Sequence, residues 1–205
     1  MKIIRLTSLC AEFDADIHPD SAMILPGRPL FMPEEGEGWV AGLYLAVRIS
    51  RLGKNVARKF APRYYDGVTA ALRVGMPDGA GGFPAGLLSG MDSSVVHGDW
   101  QDAEALKSVI SVSLGAPLKW SCPENRVEFA PMAEAVDAAI ARVSGYMTLK
   151  MGDMLMLPLC AANVGTDKAV ADCQDSCTPI EIPLQEQTHI TLGLNGNTVL
   201  DLKVV

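Results

Sequence analysis

The most constraining feature is an apolar run that begins at Trp39 and ends at Ile49, broken by one charge, Arg48. β-branched, aromatic and leucine residues at that density form a long strand buried on both faces. An acidic, glycine-containing loop, Glu34 to Gly38, precedes it, and Gly53-Lys54-Asn55 turns the chain after it. Val56 to Tyr65 carries helix formers but contains Pro62, so a helix there is short or broken. Gly67 to Val74 then supplies a second apolar strand. A chain organised around two such neighbours needs apolar layers on both sides.

The rest of the pattern is consistent with that. Met1 to Leu6 alternates like a strand, Glu12 to Ser21 is polar, and Pro26-Gly27-Arg28-Pro29 forces extended or turn geometry. Residues 1–38 therefore read as an N-terminal strand and connector, and 39–205 as the main body of a single domain. From Gly75 to Gly90, glycine and proline are too dense for regular structure, and a mobile loop is expected. The loop lacks the Gly-Lys-Ser/Thr of a phosphate-binding turn. Phe129 to Ser144 repeats apolar residues at helical spacing, with Pro131 in its first turn and Gly145 as its stop. Met154 to Leu157 reads as a buried strand, and Ile180 to Val205 as strands turned by Asn195-Gly196. The fold class is α/β but β-rich, with few helices.

Composition narrows the function. With 17 Lys and Arg against 24 Asp and Glu, the net charge is −7 and no basic run offers a nucleic-acid face. No apolar stretch reaches the ~20 residues that span a bilayer, and the N-terminus lacks the apolar core of a signal peptide. A cytoplasmic protein without membrane or nucleic-acid partners is expected. The five cysteines, Cys10, Cys122, Cys160, Cys173 and Cys177, form an odd, scattered set that suits free thiols.

Tyr44 to Val56, Y-L-A-V-R-I-S-R-L-G-K-N-V, resembles the E-L-A-V-V-I-G-x-x-G-K-N-V stretch of the fumarylacetoacetate hydrolase family. Ala61, Tyr64 and Gly67 to Ala71 fall at the spacing of that family's A-x-x-Y-V-x-G-Y-T-V-A-N-D-V. Gly90 to Trp100 is similar to K-G-F-D-x-S-x-P-I-G-x-W, and Val143 to Asp153 to S-x-Y-M-T-L-K-P-G-D. The resemblance implies a mixed, curled, barrel-like β-sheet fold and a homodimer. It also implies a site for Mg²⁺, Mn²⁺ or Ca²⁺ held by an E-x-E pair and an Asp. Such a cation polarises a keto-acid substrate for C–C hydrolysis, decarboxylation or tautomerisation.

At the corresponding positions this chain has Gly42, Tyr44 and Arg73, so all three carboxylates are replaced and no metal cofactor is expected. Ser89 stands where the family has a Lys, and Asp92 retains a family position. Displaced ligands would have to come from Glu35, Glu37 or Asp66, but the ungapped match from Tyr44 to Val56 argues against a slip. A guanidinium suits carboxylates, so Arg73 is read as an anchor for a small carboxylate or keto acid, with Tyr44, Ser89 and Asp92 around it. Otherwise Arg73 reaches solvent or pairs with Asp92 or Asp99, and Tyr44 is core. His18 falls where relatives carry a lid histidine, although a solvated histidine is the plainer reading; His97 and His189 have no nucleophile beside them. Two functions follow. One is a diverged, non-catalytic binder of a small carboxylate. The other is a metal-independent hydrolase, tautomerase or decarboxylase in which Arg73 is the electrophile and His18 moves protons.

Overall fold

The computed structural model describes residues 1–7, 14–25, 27–32, 34, 36, 38–76, 85–115, 125–160 and 179–205. Its centre is β3, Val40–Ile49, paired along its whole length with β4, Tyr65–Gly75, in an antiparallel register. On the other side of β3 lie, in succession, β10, Glu181–Pro183, and β9, Met154–Pro158. β9 pairs in parallel with β1, Ile3–Leu6, which pairs antiparallel with β2, Ala15–His18. Beyond β4 come the short strands β5, Val95–His97, and β6, Gln101–Asp102. These eight strands form one open, mixed sheet among the described residues.

A second sheet of four antiparallel strands has the order β12, β11, β7, β8, formed by Asn197–Lys203, His189–Leu194, Ile110–Leu114 and Arg126–Phe129. Asn195 and Gly196 join β11 to β12 with φ of 51° and 83°, the left-handed pair that a two-residue hairpin of this hand requires.

Alternation along the large sheet sorts its side chains onto two faces. Ile4 and Leu6, Leu43, Leu45 and Val47, Leu72 and Val74, and Leu155 and Leu157 turn to one face. There they merge with β7, β11, β12 and the helix α2, Ala133–Tyr146, in the main core. Their neighbours Ile3, Tyr44, Ala46, Ala71, Met154 and Met156 form a smaller cluster on the opposite face. β3 is buried on both faces, which explains its lack of a polar period.

The sheet departs from the sequence reading in four places. The polar connector contains β2, because Asp16 meets Arg5 of β1 and His18 pairs with Ile3 in the backbone ladder. The helix expected from Phe129 begins at Ala133: Val127 and Phe129 are taken by β7, opposite Val112 and Ile110, and Pro131 separates strand from helix. It also runs through Gly145 to Tyr146, since Gly145 does not adopt positive φ. Within the expected loop, Ala85–Ser89 form a short helix, α1, while 77–84 lie outside the described residues. Cys160 is disulfide-bonded rather than a free thiol; the other four cysteines lie outside the described residues.

Candidate functional site

The register of β3 creates the site. Gly42 stands opposite Arg73 of β4 on one side and Glu181 of β10 on the other. All three face the smaller-cluster side of the sheet, so the missing side chain at 42 leaves a notch between a guanidinium and a carboxylate. Tyr44, two residues on, turns to the same face. The notch is snug at its floor: a Cβ on Gly42 would lie 3.1 Å from Tyr44 Cε2 and 3.3 Å from Pro179 Cγ.

Arg5 of β1 comes to the same face through the parallel pairing of β1 with β9. Its Nη1 donates to the Tyr44 hydroxyl at 3.1 Å. Its Nε donates to both Asp16 oxygens, at 2.9 and 3.1 Å, and its Nη2 donates to Oδ2. His18 is fully buried beside them, with Nε2 3.1 Å from Asp16 Oδ1, although neither ring nitrogen is aligned for a hydrogen bond.

The titrations follow from this packing. Burial tends to raise the Asp16 carboxyl, but the closeness of His18 and Arg5 outweighs it and holds the group well below the usual carboxylate range. Burial raises the Tyr44 phenol, against the opposing pull of Arg5 and Arg73, so its hydroxyl remains protonated at neutral pH.

Together Arg5, Thr7, Gly42, Tyr44, Arg73 and Glu181, with Val40, Gly75, Met76 and Pro179, line a cavity of about 140 Å³. A single water needs roughly 10–15 Å³ by the same measure. By that measure the space holds on the order of ten waters, room for a small organic molecule of about ten non-hydrogen atoms. Arg73 Nη2 donates to the Leu88 carbonyl at 3.1 Å, which aims the guanidinium along the cavity wall beside α1.

The structure thus brings together Gly42, Tyr44 and Arg73 as the sequence suggested, and Tyr44 is both core and wall: 1% exposed, with its hydroxyl satisfied by Arg5. Ser89 and Asp92 do not line the cavity. Ser89 Oγ donates to the Gly86 carbonyl, and Asp92 is exposed on the turn after α1. His18 is buried instead of solvated, and it too stays off the cavity wall. His97 stacks near Trp100 with ring centroids 4.8 Å apart, and His189 is exposed beside Asp201. Sequence reasoning missed Arg5, Asp16 and Glu181. The signal for the first two was alternation: Ile3/Arg5 and Asp16/His18 each space one face of a strand.

Among the described residues no three of His, Cys, Asp and Glu come together as a metal ion requires. Asp66, the displaced ligand that can be checked, accepts from Arg48 Nε at 2.8 Å and lies seven residues from Arg73, roughly 24 Å along β4. Glu35 and Glu37 lie outside the described residues.

No family model matches the sequence, and no curated protein matches it. Solved structures do match, over the whole chain. A 5-carboxymethyl-2-hydroxymuconate delta-isomerase from Mycobacterium smegmatis superposes with a TM-score of 0.74 at 19% identity, over 100% of this chain and 76% of its own. A Yersinia pestis CO92 protein assigned to the fumarylacetoacetate hydrolase family gives 0.66 at 17%, over 100% and 92%. A fumarylpyruvate hydrolase from Pseudomonas aeruginosa, solved with Mn²⁺ and pyruvate, gives 0.69 at 14%, over 100% and 89%.

Proposed function

Because the chain has the fold of the fumarylacetoacetate hydrolase proteins, we propose that it binds a small carboxylate at the Gly42–Tyr44–Arg73 cavity without a divalent metal, as a diverged, non-catalytic relative. The observation that carries this reading is Arg73 standing opposite Gly42 at the wall of the cavity.

The donor set does not fit a divalent cation. Hard cations take several oxygens, mostly carboxylates, whereas the described lining residues offer one carboxylate, Glu181, and two guanidiniums. A doubly charged ion about 5 Å from a guanidinium is repelled by roughly 6 kcal/mol at an effective dielectric of 20. Restoring a glutamate at 42 would press its Cβ onto Tyr44 and Pro179. A carboxylate ligand, in contrast, meets the guanidinium donors of Arg73 and Arg5.

The enzymatic alternative needs a proton carrier at the ligand. His18 is fully buried and off the cavity wall, which leaves Glu181 as the carboxylate among the described lining residues. Among those residues no nucleophile and base stand together.

Millimolar Mg²⁺ or Mn²⁺ should leave the melting temperature unchanged; a rise of several degrees would show a metal site and overturn the reading, since a ligand at a hundred times its Kd adds about 2.7 kcal/mol.

A further inference from the structure

The cavity presents opposite charges on either side of one empty position. Arg73 and Glu181 are the two direct cross-strand partners of Gly42. Their backbones are about 10 Å apart, two strand spacings, and both residues line the cavity that Gly42 opens onto. We infer that the small carboxylate taken by this site is zwitterionic: an α-amino acid with a short side chain, its carboxylate on Arg73 and its ammonium on Glu181. This rests on the carboxylate-binding reading above and names its ligand class.

Charge placement favours that class. Arg5 is matched by Asp16 through three hydrogen bonds, while Arg73 and Glu181 stand on opposite sides of the notch. A ligand with one charge of each sign matches both sides. A keto monocarboxylate presents only a ketone oxygen, which has no donor, to the Glu181 carboxylate. An ammonium supplies three donors at that place. Neither protein group has to be free of other bonds for this, because a guanidinium carries five donors and a carboxylate about four acceptor sites.

Size and wall chemistry agree. Tyr44, Met76, Pro179 and Val40 give the cavity an apolar side. A volume of about 140 Å³ has room for a small amino acid of up to about ten non-hydrogen atoms. The Tyr44 phenol, held neutral by burial and fixed by Arg5, adds a positioned polar edge without adding charge.

The test pairs acids that differ only in the α-substituent: L-alanine against pyruvate, and L-serine against 3-hydroxypyruvate, each titrated calorimetrically into the full chain and into Glu181→Gln. The inference expects at least one amino acid to bind about tenfold or more tightly than its keto partner, the effect of one charge-assisted hydrogen bond. It also expects Glu181→Gln to erase that preference while keto-acid binding is kept, which shows that the variant is folded. If the keto acids bind as well as the amino acids, or if Glu181→Gln leaves the preference intact, the zwitterion inference falls and carboxylate binding stands. If no member of either pair binds at tens of millimolar, carboxylate binding itself falls, and the inference with it.

Discussion

Replacing Asp16 with alanine tests whether the Arg5 guanidinium is held by one carboxylate. Asp16 accepts from Arg5 Nε and Nη2, and its Oδ1 lies 3.1 Å from His18 Nε2. The side chains of Arg5 and Asp16 are 16% and 27% exposed. Removing one partner of a fully buried pair costs about 3–5 kcal/mol; with a quarter of the carboxylate in water, about 2–3 kcal/mol is expected. For a chain of this length each kcal/mol moves Tm by about 2–4 °C, so the drop should be about 4–12 °C. Urea unfolding of the wild type, Asp16→Ala, Arg5→Met and the double variant gives the coupling directly, and it should exceed about 1 kcal/mol. Because Asp16 has its pKa depressed in the fold, its contribution is complete above the unfolded value of about 4 and disappears as pH falls through the folded value. The pair should therefore stabilise the protein throughout the neutral range and fail only in acid. A cycle coupling indistinguishable from zero at neutral pH would refute the reasoning, since Arg5 would then be positioned by something other than Asp16.

Arg73→Ala should weaken whichever small carboxylate binds by about tenfold or more, the loss of a charge-assisted contact, while changing stability little, because the side chain lies at a cavity wall; calorimetry on the variant checks it, and unchanged affinity would move the anchor elsewhere. Asp153→Ala should cost about 3 kcal/mol or more in urea unfolding, because the carboxylate is 1% exposed and accepts from Lys2 N, Lys150 N and Lys2 Nζ, tying β1 to the turn before β9; a loss below about 1 kcal/mol would mean the turn holds β1 by other means.

The framing motifs were legible because each marks a backbone requirement. Gly53 in the G-K-N turn would place a Cβ 2.6 Å from the Tyr64 ring, Asn55 sits at φ 51°, and Leu149 of the T-L-K segment bridges Gly53 in both directions at 3.0 and 2.8 Å. Apolar runs gave β3, β4 and β9 to within a residue or so, since strands buried on both faces carry little else. The N-terminal half of the site was hidden for the opposite reason. β2 has only four residues, three of them not fully buried, so its alternation is too short to stand out within a polar stretch, and it forms through Asp16 meeting Arg5 and through pairing with β1. Phe129 was misplaced because its spacing fits helix and strand equally, and only its partner Ile110 decides. Ser89 and Asp92 were assigned to the site by motif position, yet α1 and the turn after it carry them away from the cavity.

The same alternation that separates two apolar faces also lets position 73 carry a charge without disturbing the main core. Position 73 belongs to the small-cluster face, while its neighbours Leu72 and Val74, both buried, belong to the main core. A substitution at 73 therefore leaves the packing between the two sheets untouched. Its cost is confined to the cavity, where Gly42 opposite and Gly75 beside it make room: a Cβ on Gly75 would sit 2.1 Å from Arg73 Nη1. Glycine at 42 and 75 and arginine at 73 are thus one steric unit. A side chain at 75 would drive the guanidinium from its place, and one at 42 would push on Tyr44, whose hydroxyl links the cavity to Arg5. Gly75 seats the guanidinium, and Gly42 keeps the notch open between Arg73 and Glu181.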